Sequence, residues 1–292
     1  MKPPNYPPLF GSPEEFQFYK SFYSTMPTQC LTYNYFTDID RDTLDIYVIT
    51  FNNLFCVEYQ IKTLRRFVKQ KFNIIIVDNN NDDHPDISQK VLEICRNENL
   101  TYIKTPNNLY QQPGKLNPSV KLGTTMNWLF LNCARHRKAK YFGYLDQDCF
   151  LFENLDLREY LDTKHMYGPI SISNKPPYAW NLHVTSNFYR FDFVKDLQLD
   201  FRPSHKLELD TGGANWEIIY KNLNYKDYEL DTRGFKYFTQ DIGGPNTFQY
   251  YTLHDHRWFH MCGSTEVNGV KVKEAYCKGW LDCILGREDK AF

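Results

Sequence analysis

From Asp45 onward the chain alternates between two hydrophobic patterns. Short apolar runs, IYVIT (46–50), NIIIVD (73–78) and LTYIKT (100–105), read as strands buried on both faces. The stretches between them carry helical spacing. Val57, Ile61, Leu64 and Val68 fall at i, i+4, i+7 and i+11 within 54–69, and Ile87, Val91, Ile94 and Cys95 share one face of 86–97. A third helix over 119–136 turns Met126, Leu129, Phe130, Cys133 and Ala134 inward. A fourth strand, from Tyr141 to Leu145, runs into Asp146. Strand–helix alternation of this kind predicts an α/β fold, with a mostly parallel central sheet and helices on both faces.

The flanks are less regular. Pro3, Pro4, Pro7 and Pro8 forbid regular structure at the start, and Ser12-Pro13 opens a short aromatic helix to about Tyr23. Residues 1–44 read as an extension packed on the body, 45–155 as the first half of one continuous domain and 156–292 as its second half. In that second half MYGPISI (166–172) predicts a strand. Gly212-Gly213 predicts a tight turn feeding a helix from near Asn215, and 270–285 an amphipathic helix.

In open parallel sheets ligands bind beyond the carboxyl ends of the strands. Three such ends carry polar residues: Thr50-Phe51-Asn52, Asp78-Asn79-Asn80 and Asp146-Gln147-Asp148. The last is the most informative. Asp146 and Asp148 stand between two apolar runs, and carboxylates are rarely buried unless paired or bound to metal. Two hard oxygen ligands at i and i+2 suit Mg²⁺ or Mn²⁺. A strand ending in an Asp-rich turn is the alternative. No GxGxxG follows the first strand and no GxxxxGK[ST] occurs, which removes the main signals for dinucleotide and P-loop sites.

Composition narrows the classes. Of 292 residues, 42% are hydrophobic, enough for a large core. A net charge of −1 provides no field to attract nucleic acid or anionic lipid. The eight cysteines include no CxxC pair and read as reduced thiols, so the expected setting is cytoplasmic.

The order strand, T-F-N, helix, strand ending V-D-N, then strand ending D-x-D resembles the GT-A fold of nucleotide-sugar glycosyltransferases, nearest to the family-2-like group. That resemblance implies a donor site built from Thr50, Phe51, Asn52, Asp78, Asp146, Gln147 and Asp148, with Asn127 on the preceding helix. It also implies a smaller acceptor-side part in the second half. The segment around Gly212-Gly213 and Trp216-Glu217 resembles the GGE-containing segment of galactosyl- and polypeptide N-acetylgalactosaminyltransferases. This implies acceptor contacts at Gly212, Gly213 and Trp216, with Trp180 beside them. Ala214 replaces the first acid of that pattern. His260-x-x-Gly263 is similar to the HxxG of metal-dependent GT-A enzymes, implying His260 as third metal ligand beside Asp146 and Asp148.

The expected activity is therefore a metal-dependent transfer of a hexosyl or N-acetylhexosaminyl group from a nucleoside-diphosphate sugar, UDP before GDP, to an acceptor hydroxyl. The acceptor is a glycan, a lipid-linked sugar or a protein, with contact to a membrane surface as a secondary expectation. An inverting reaction needs a carboxylate base. Glu217, Asp210 and Asp241 are the candidates, in the order Glu217 first. A nucleotidyltransferase or a non-catalytic sugar- or nucleotide-binding module is the alternative.

Overall fold

The structure is a computed structural model that describes residues 20–80, 85–106, 117–236, 250–263 and 270–286. The first strands in chain order are β1 (Thr32–Tyr33), β2 (Leu44–Thr50), β3 (Phe72–Asp78), β4 (Thr101–Lys104), β5 (Tyr141–Asp146) and β6 (Cys149–Leu151). Those that follow are β7 (Met166–Tyr167), β8 (Ile170–Ile172), β9 (Trp180–Leu182), β10 (Ser186–Arg190), β11 (Thr232–Lys236), β12 (Tyr250–His254) and β13 (Trp258–His260). A seven-stranded sheet has the order β1-β4-β3-β2-β5-β10-β7. Its middle, β4-β3-β2-β5, is parallel, and the outer pairings are antiparallel. A second, antiparallel sheet runs β11-β12-β13-β6, and β8 pairs with β9 alone.

All seven residues of β2 are buried, as a central strand covered on both faces requires. Successive side chains go to opposite faces. Tyr47, Ile49, Ile75 and Val77 pack with Met126, Leu129 and Phe130 in one core. Ile46, Val48, Ile74 and Ile76 pack with Val57, Ile61, Leu64 and Val91 in the other. These helices are α1 (Leu54–Phe67), α2 (Pro85–Asn97) and α3 (Pro118–Leu129). Asn53 caps α1 by accepting from the Cys56 amide at 3.0 Å, and Asn117 caps α3 by accepting from Ser119 at 2.9 Å. The α3 rod continues through a π-helical turn, Phe130–Ala134, to Arg137. At the carboxyl end of the chain, α4 (Arg158–Lys164) and α5 (Phe191–Val194) are followed by α6 (Val270–Leu285). Cys277 and Leu281 of α6 pack on Cys56, Tyr59, Phe150 and Phe259, which closes the second sheet over α1.

Two predicted elements differ. MYGPISI is not one strand: β7 joins the central sheet and β8 joins the small hairpin, with Gly168 at φ 154° between them. A Cβ on Gly168 would meet the Ser186 carbonyl at 2.2 Å, so the chain can turn there against β10 only with glycine. The helix expected from Asn215 is a 3-10 turn, Gly213–Asn215, followed by a π turn, Trp216–Tyr220. Of the N-terminal helix, residues 20–24 are described, and Phe22 and Tyr23 are buried against Trp128 and α3.

A buried ion pair fixes the N-terminal strap to the sheet. Arg137 donates from Nε to Asp45 Oδ2 at 2.6 Å and from Nη2 to Oδ1 at 3.1 Å, and its Nη1 holds the Phe36 carbonyl. Asn73 completes the carboxylate with a 2.8 Å bond. Removing one partner leaves the other charged and unpaired in the interior. Asp45→Ala should therefore cost about 3–5 kcal/mol in chemical denaturation. The double variant Asp45→Ala/Arg137→Met should recover much of that loss. Equal destabilisation by the single and double variants would refute this account of the pair.

Candidate active site

The two sheets meet at a corner of two residues. Asp146 is the last residue of β5 in the central sheet, and Cys149 is the first of β6 in the other. Gln147 and Asp148 make the turn. The corner is fastened from four sides. Asp146 donates its amide to the Thr185 carbonyl at 3.0 Å, and the Asp148 carbonyl accepts from Met261 at 2.8 Å. Gln60 of α1 donates to the carbonyls of Asp146 and Cys149 at 2.6 and 3.0 Å. Gln147 accepts from the Phe51 amide at 2.7 Å, which ties the corner to the end of β2.

Strand register brings an imidazole to the two carboxylates. β13 pairs with β6 so that His260 stands opposite Cys149, next to Asp148. The His260 Nε2 lies 3.3 Å from Asp148 Oδ1. Asp146, Asp148 and His260 each offer one ligand atom, and the three atoms lie within 4.8 Å of one another. On its other side the His260 Nδ1 is 3.3 Å from both the Thr252 hydroxyl and the Cys262 thiol. This is the arrangement of a metal-ligating imidazole whose second nitrogen is held by outer partners.

The electrostatics fit a cation. Burial, and then the Asp148 carboxylate beside it, raise the Asp146 pKa from 3.8 to about 7. Burial opposes charge on His260, but Asp148 and Cys262 outweigh it and raise its pKa well above the ordinary imidazole value. Without a metal, protons hold the site's charges in check. The donor set, two carboxylates and an imidazole in a half-buried corner, suits Mn²⁺ or Mg²⁺, which leave further positions to substrate oxygens. A second imidazole lies close by. The His254 ring is 6.2 Å from that of His260, and burial lowers its pKa to about 3. Its nitrogens are held by Thr232 and Thr252, which makes it a packed, neutral neighbour.

The ends of β2 and β3 adjoin this corner, and there the backbone and the Asp78 carboxylate are engaged while the Thr50 hydroxyl and the Asn52 side-chain oxygen find no partner among the described residues. Thr50 is fully buried, and its carbonyl accepts from the Asn79 amide at 3.0 Å. Asn52 takes the left-handed conformation at φ 54°, and its amide is held by the Asn80 side chain. Asp78 is also fully buried. One of its oxygens accepts from Tyr102 at 2.7 Å, and the other from the Asn80 amide at 2.9 Å and Lys104 at 3.4 Å. The carboxylate thus shapes the 78–80 turn from inside the sheet. Asn127 is committed to the core: it donates to Asp200 at 3.0 Å and to Tyr23 at 3.3 Å, and accepts from Phe201 at 2.7 Å. It does not join the group at Asp146.

On the opposite side, Trp180 and Trp216 are buried rather than presented to a ligand, and Trp180 packs on Tyr220 and Tyr228. Gly212 takes φ 92°, and a Cβ there would touch the Asn181 amide at 3.0 Å. A Cβ on Gly213 would meet the Leu209 side chain at 2.4 Å. The two glycines therefore set the backbone that carries Asp210. The Asp210 charge reaches Asp146, whose pKa it helps to raise, and His183, whose pKa burial nevertheless lowers to about 4. Glu217 is exposed and pairs with Lys221 at 2.8 Å along the same turn. Asp241 lies outside the described residues.

Gln60, His183 and Thr185 were not apparent from the sequence. Gln60 shares a helix face with Val57, Ile61 and Leu64, and a polar residue in such a stripe is the signal that marks it. His183 and Thr185 sit between β9 and β10 with no motif around them.

No protein-family model matches the chain, and no curated protein does. Among solved structures, the chain is similar to the mannosyltransferase PcManGT from Pyrobaculum calidifontis, which is in complex with GDP-Man and Mn²⁺. The TM-score is 0.34 and the identity 14%, over 62% of this chain and 52% of that one. It is also similar to WbbM, a bifunctional glycosyltransferase in its apo form, with TM-score 0.36 and 10% identity over 52% of this chain and 32% of that one. The chain thus spans about half of the first protein and a third of the second. No helix among the described residues is long and apolar enough to cross a membrane.

Two outcomes follow from the geometry. In Mn²⁺ titrations by calorimetry, Asp148→Asn should abolish binding and His260→Ala should weaken it about 10-fold or more. Both variants should keep the wild-type circular dichroism spectrum. Wild-type affinity in Asp148→Asn would overturn the ligand assignment. The second outcome concerns pH. Folded Asp146 keeps its proton up to about 7, whereas the unfolded chain releases it near 3.8. Between these values the folded state binds more protons, so metal-free stability should fall as pH rises through that window. Mn²⁺ binding must displace protons from Asp146 and His260, so its affinity should rise over the same window. Thermal melts across pH with and without Mn²⁺ check both signs.

Proposed function

We propose that the protein is a metal-dependent glycosyltransferase that moves a sugar from a nucleoside-diphosphate sugar to an acceptor hydroxyl. The observation that carries this reading is the Asp146–Asp148–His260 group at the carboxyl edge of a parallel sheet, where such sheets bind their ligands. Lacking a glycine-rich phosphate loop after β2, the chain has this group as its means of gripping a diphosphate. A bound Mn²⁺ or Mg²⁺ there supplies Lewis-acid neutralisation of the charge on the departing diphosphate.

The chain's own residues do the rest. Phe51 and the Asn52–Asn80 contact form one wall of the nucleotide pocket, which Asp78 shapes by holding the 78–80 turn. With Asp78 buried and engaged, the order UDP-sugar before GDP-sugar is carried by the resemblance rather than by a free acceptor at the end of β3. The acceptor oxygen bonds to the anomeric carbon as the bond from that carbon to the diphosphate breaks. In an inverting reaction the acceptor proton goes to a carboxylate. Asp210 takes that role ahead of Glu217, because its charge is felt at Asp146 and His183, whereas Glu217 is held outward by Lys221. The acceptor is a glycan, a lipid-linked sugar or a protein.

Thermal-shift titration tests the reading. UDP or GDP should stabilise the wild type with Mn²⁺ and lose that effect in EDTA or in Asp148→Asn. ADP should stabilise less. Equal stabilisation by all three nucleotides without metal, or by none with it, would overturn the proposal.

A further inference from the structure

His183 stands beside the metal group without belonging to it. It follows β9, and its amide donates to the Pro169 carbonyl at 2.6 Å, which pins the backbone where the β8–β9 hairpin returns to the sheet. Its ring lies 6.4 Å from that of His260, and the charges that reach it are those of His260, Asp210 and Asp148. The imidazole thus lies beside His260 and within electrostatic reach of both Asp148 and Asp210.

Its orientation is fixed on one side. The Thr185 amide donates to His183 Nδ1 at 3.3 Å, and the Thr185 hydroxyl lies 3.1 Å from the same nitrogen. The Thr185 carbonyl in turn accepts from the Asp146 amide. One residue therefore aligns the His183 ring with the corner that carries the carboxylates. A nitrogen that accepts from a backbone amide carries no proton, so the ring proton of neutral His183 resides on Nε2. Nε2 makes no hydrogen bond among the described residues. An aligned N–H donor without a protein partner, next to a site for a polyanion, calls for an acceptor from the ligand.

We propose that His183 is a further substrate-binding residue, whose Nε2–H donates to a diphosphate oxygen of the nucleotide on the side of the metal group that faces Asp210. This inference rests on the glycosyltransferase reading. It assigns to an uncharged imidazole a share of the negative charge on the leaving group. It also excludes His183 as the base that accepts the acceptor proton, because its free nitrogen already bears one.

The test compares His183→Ala and His183→Gln with the wild type; the glutamine amide can place an N–H near the Nε2 position. Binding of Mn²⁺ alone, and then of UDP and inorganic pyrophosphate to the Mn²⁺-loaded protein, is measured by calorimetry. His183→Ala should weaken both UDP and pyrophosphate about 10-fold or more, as expected for a hydrogen bond to a charged group. Mn²⁺ affinity should stay within twofold, and His183→Gln should recover most of the loss. Unchanged UDP and pyrophosphate affinity in folded His183→Ala would overturn the inference and leave the glycosyltransferase reading intact. A parallel fall in Mn²⁺ affinity would overturn it in favour of a metal-ligand role. Failure of the Mn²⁺-loaded wild type to bind either ligand would overturn both.

Discussion

Two carboxylates held in a two-residue turn are the constraint around which this molecule is built. Unit charges 4.8 Å apart, the outer limit for the ligand atoms here, repel by roughly 3.5 kcal/mol at an effective dielectric near 20. Burial adds to that cost. A chain that keeps Asp146 and Asp148 at this corner must offset it by protonating one of them, by bringing in a cationic side chain or by binding a metal. In the free protein the first two are favoured, since burial and Asp148 raise the Asp146 pKa and Asp148 outweighs burial to raise that of His260. A divalent cation bound there would replace both at once, and in the proposed reading the site exchanges protons for metal.

The exchange needs a corner that does not relax when the charges change. Backbone bonds supply this rigidity. The carbonyls of Asp146, Asp148 and Cys149 are all engaged, by Gln60 and Met261, and the Asp146 amide is held by Thr185. These partners come from α1, from the end of β13 and from the start of β10, so three separate parts of the chain converge on three residues. The register of β13 on β6 then decides where His260 falls. A slip of one residue would turn that imidazole to the other face of the sheet.

The parallel half of the fold was legible in the sequence for a physical reason. A strand buried on both faces has to be an unbroken apolar run, and its polar end has to be at the sheet's edge, so β2, β3 and β5 announce both their extent and their functional ends. Asp146 and Asp148 stood out because carboxylates between apolar runs are costly. His260 was visible only through a resemblance, since its place depends on a pairing between residues more than a hundred positions apart. The roles of Asp78 and Asn127 could not be read, because a polar residue at a strand end or on a helix looks the same whether it faces a ligand or satisfies its own core. Here Tyr102, Lys104 and Asn80 engage the first, and Asp200, Phe201 and Tyr23 the second. The turn at 213–220 misled for a related reason. Its apolar spacing suits a helix, but Gly212 and Gly213 are needed for close backbone approach, and that approach tightens the start into 3-10 geometry.

Those interior amides still bear on the chemistry at one remove. Asn127 holds Asp200 and the Phe201 amide, and Asn215 accepts from the Asp200 amide at 2.7 Å. The Phe201 and Arg202 carbonyls then accept from Gly212 and Ala214, at 2.6 and 3.0 Å. The turn that displays Asp210 is therefore suspended from a buried network that begins on α3, while the carboxylate corner is suspended from α1 and β13. The two sides of the site have independent supports. The residues flanking His183 touch both sides, since the Thr185 carbonyl accepts from the Asp146 amide and the Asn181 side chain donates to the Thr211 carbonyl at 3.0 Å. The short span from Asn181 to Thr185 thus links the carboxylate corner to the turn that carries Asp210. In the proposed reading, His183 in that span would share the charge on the diphosphate and leave the acceptor proton to Asp210.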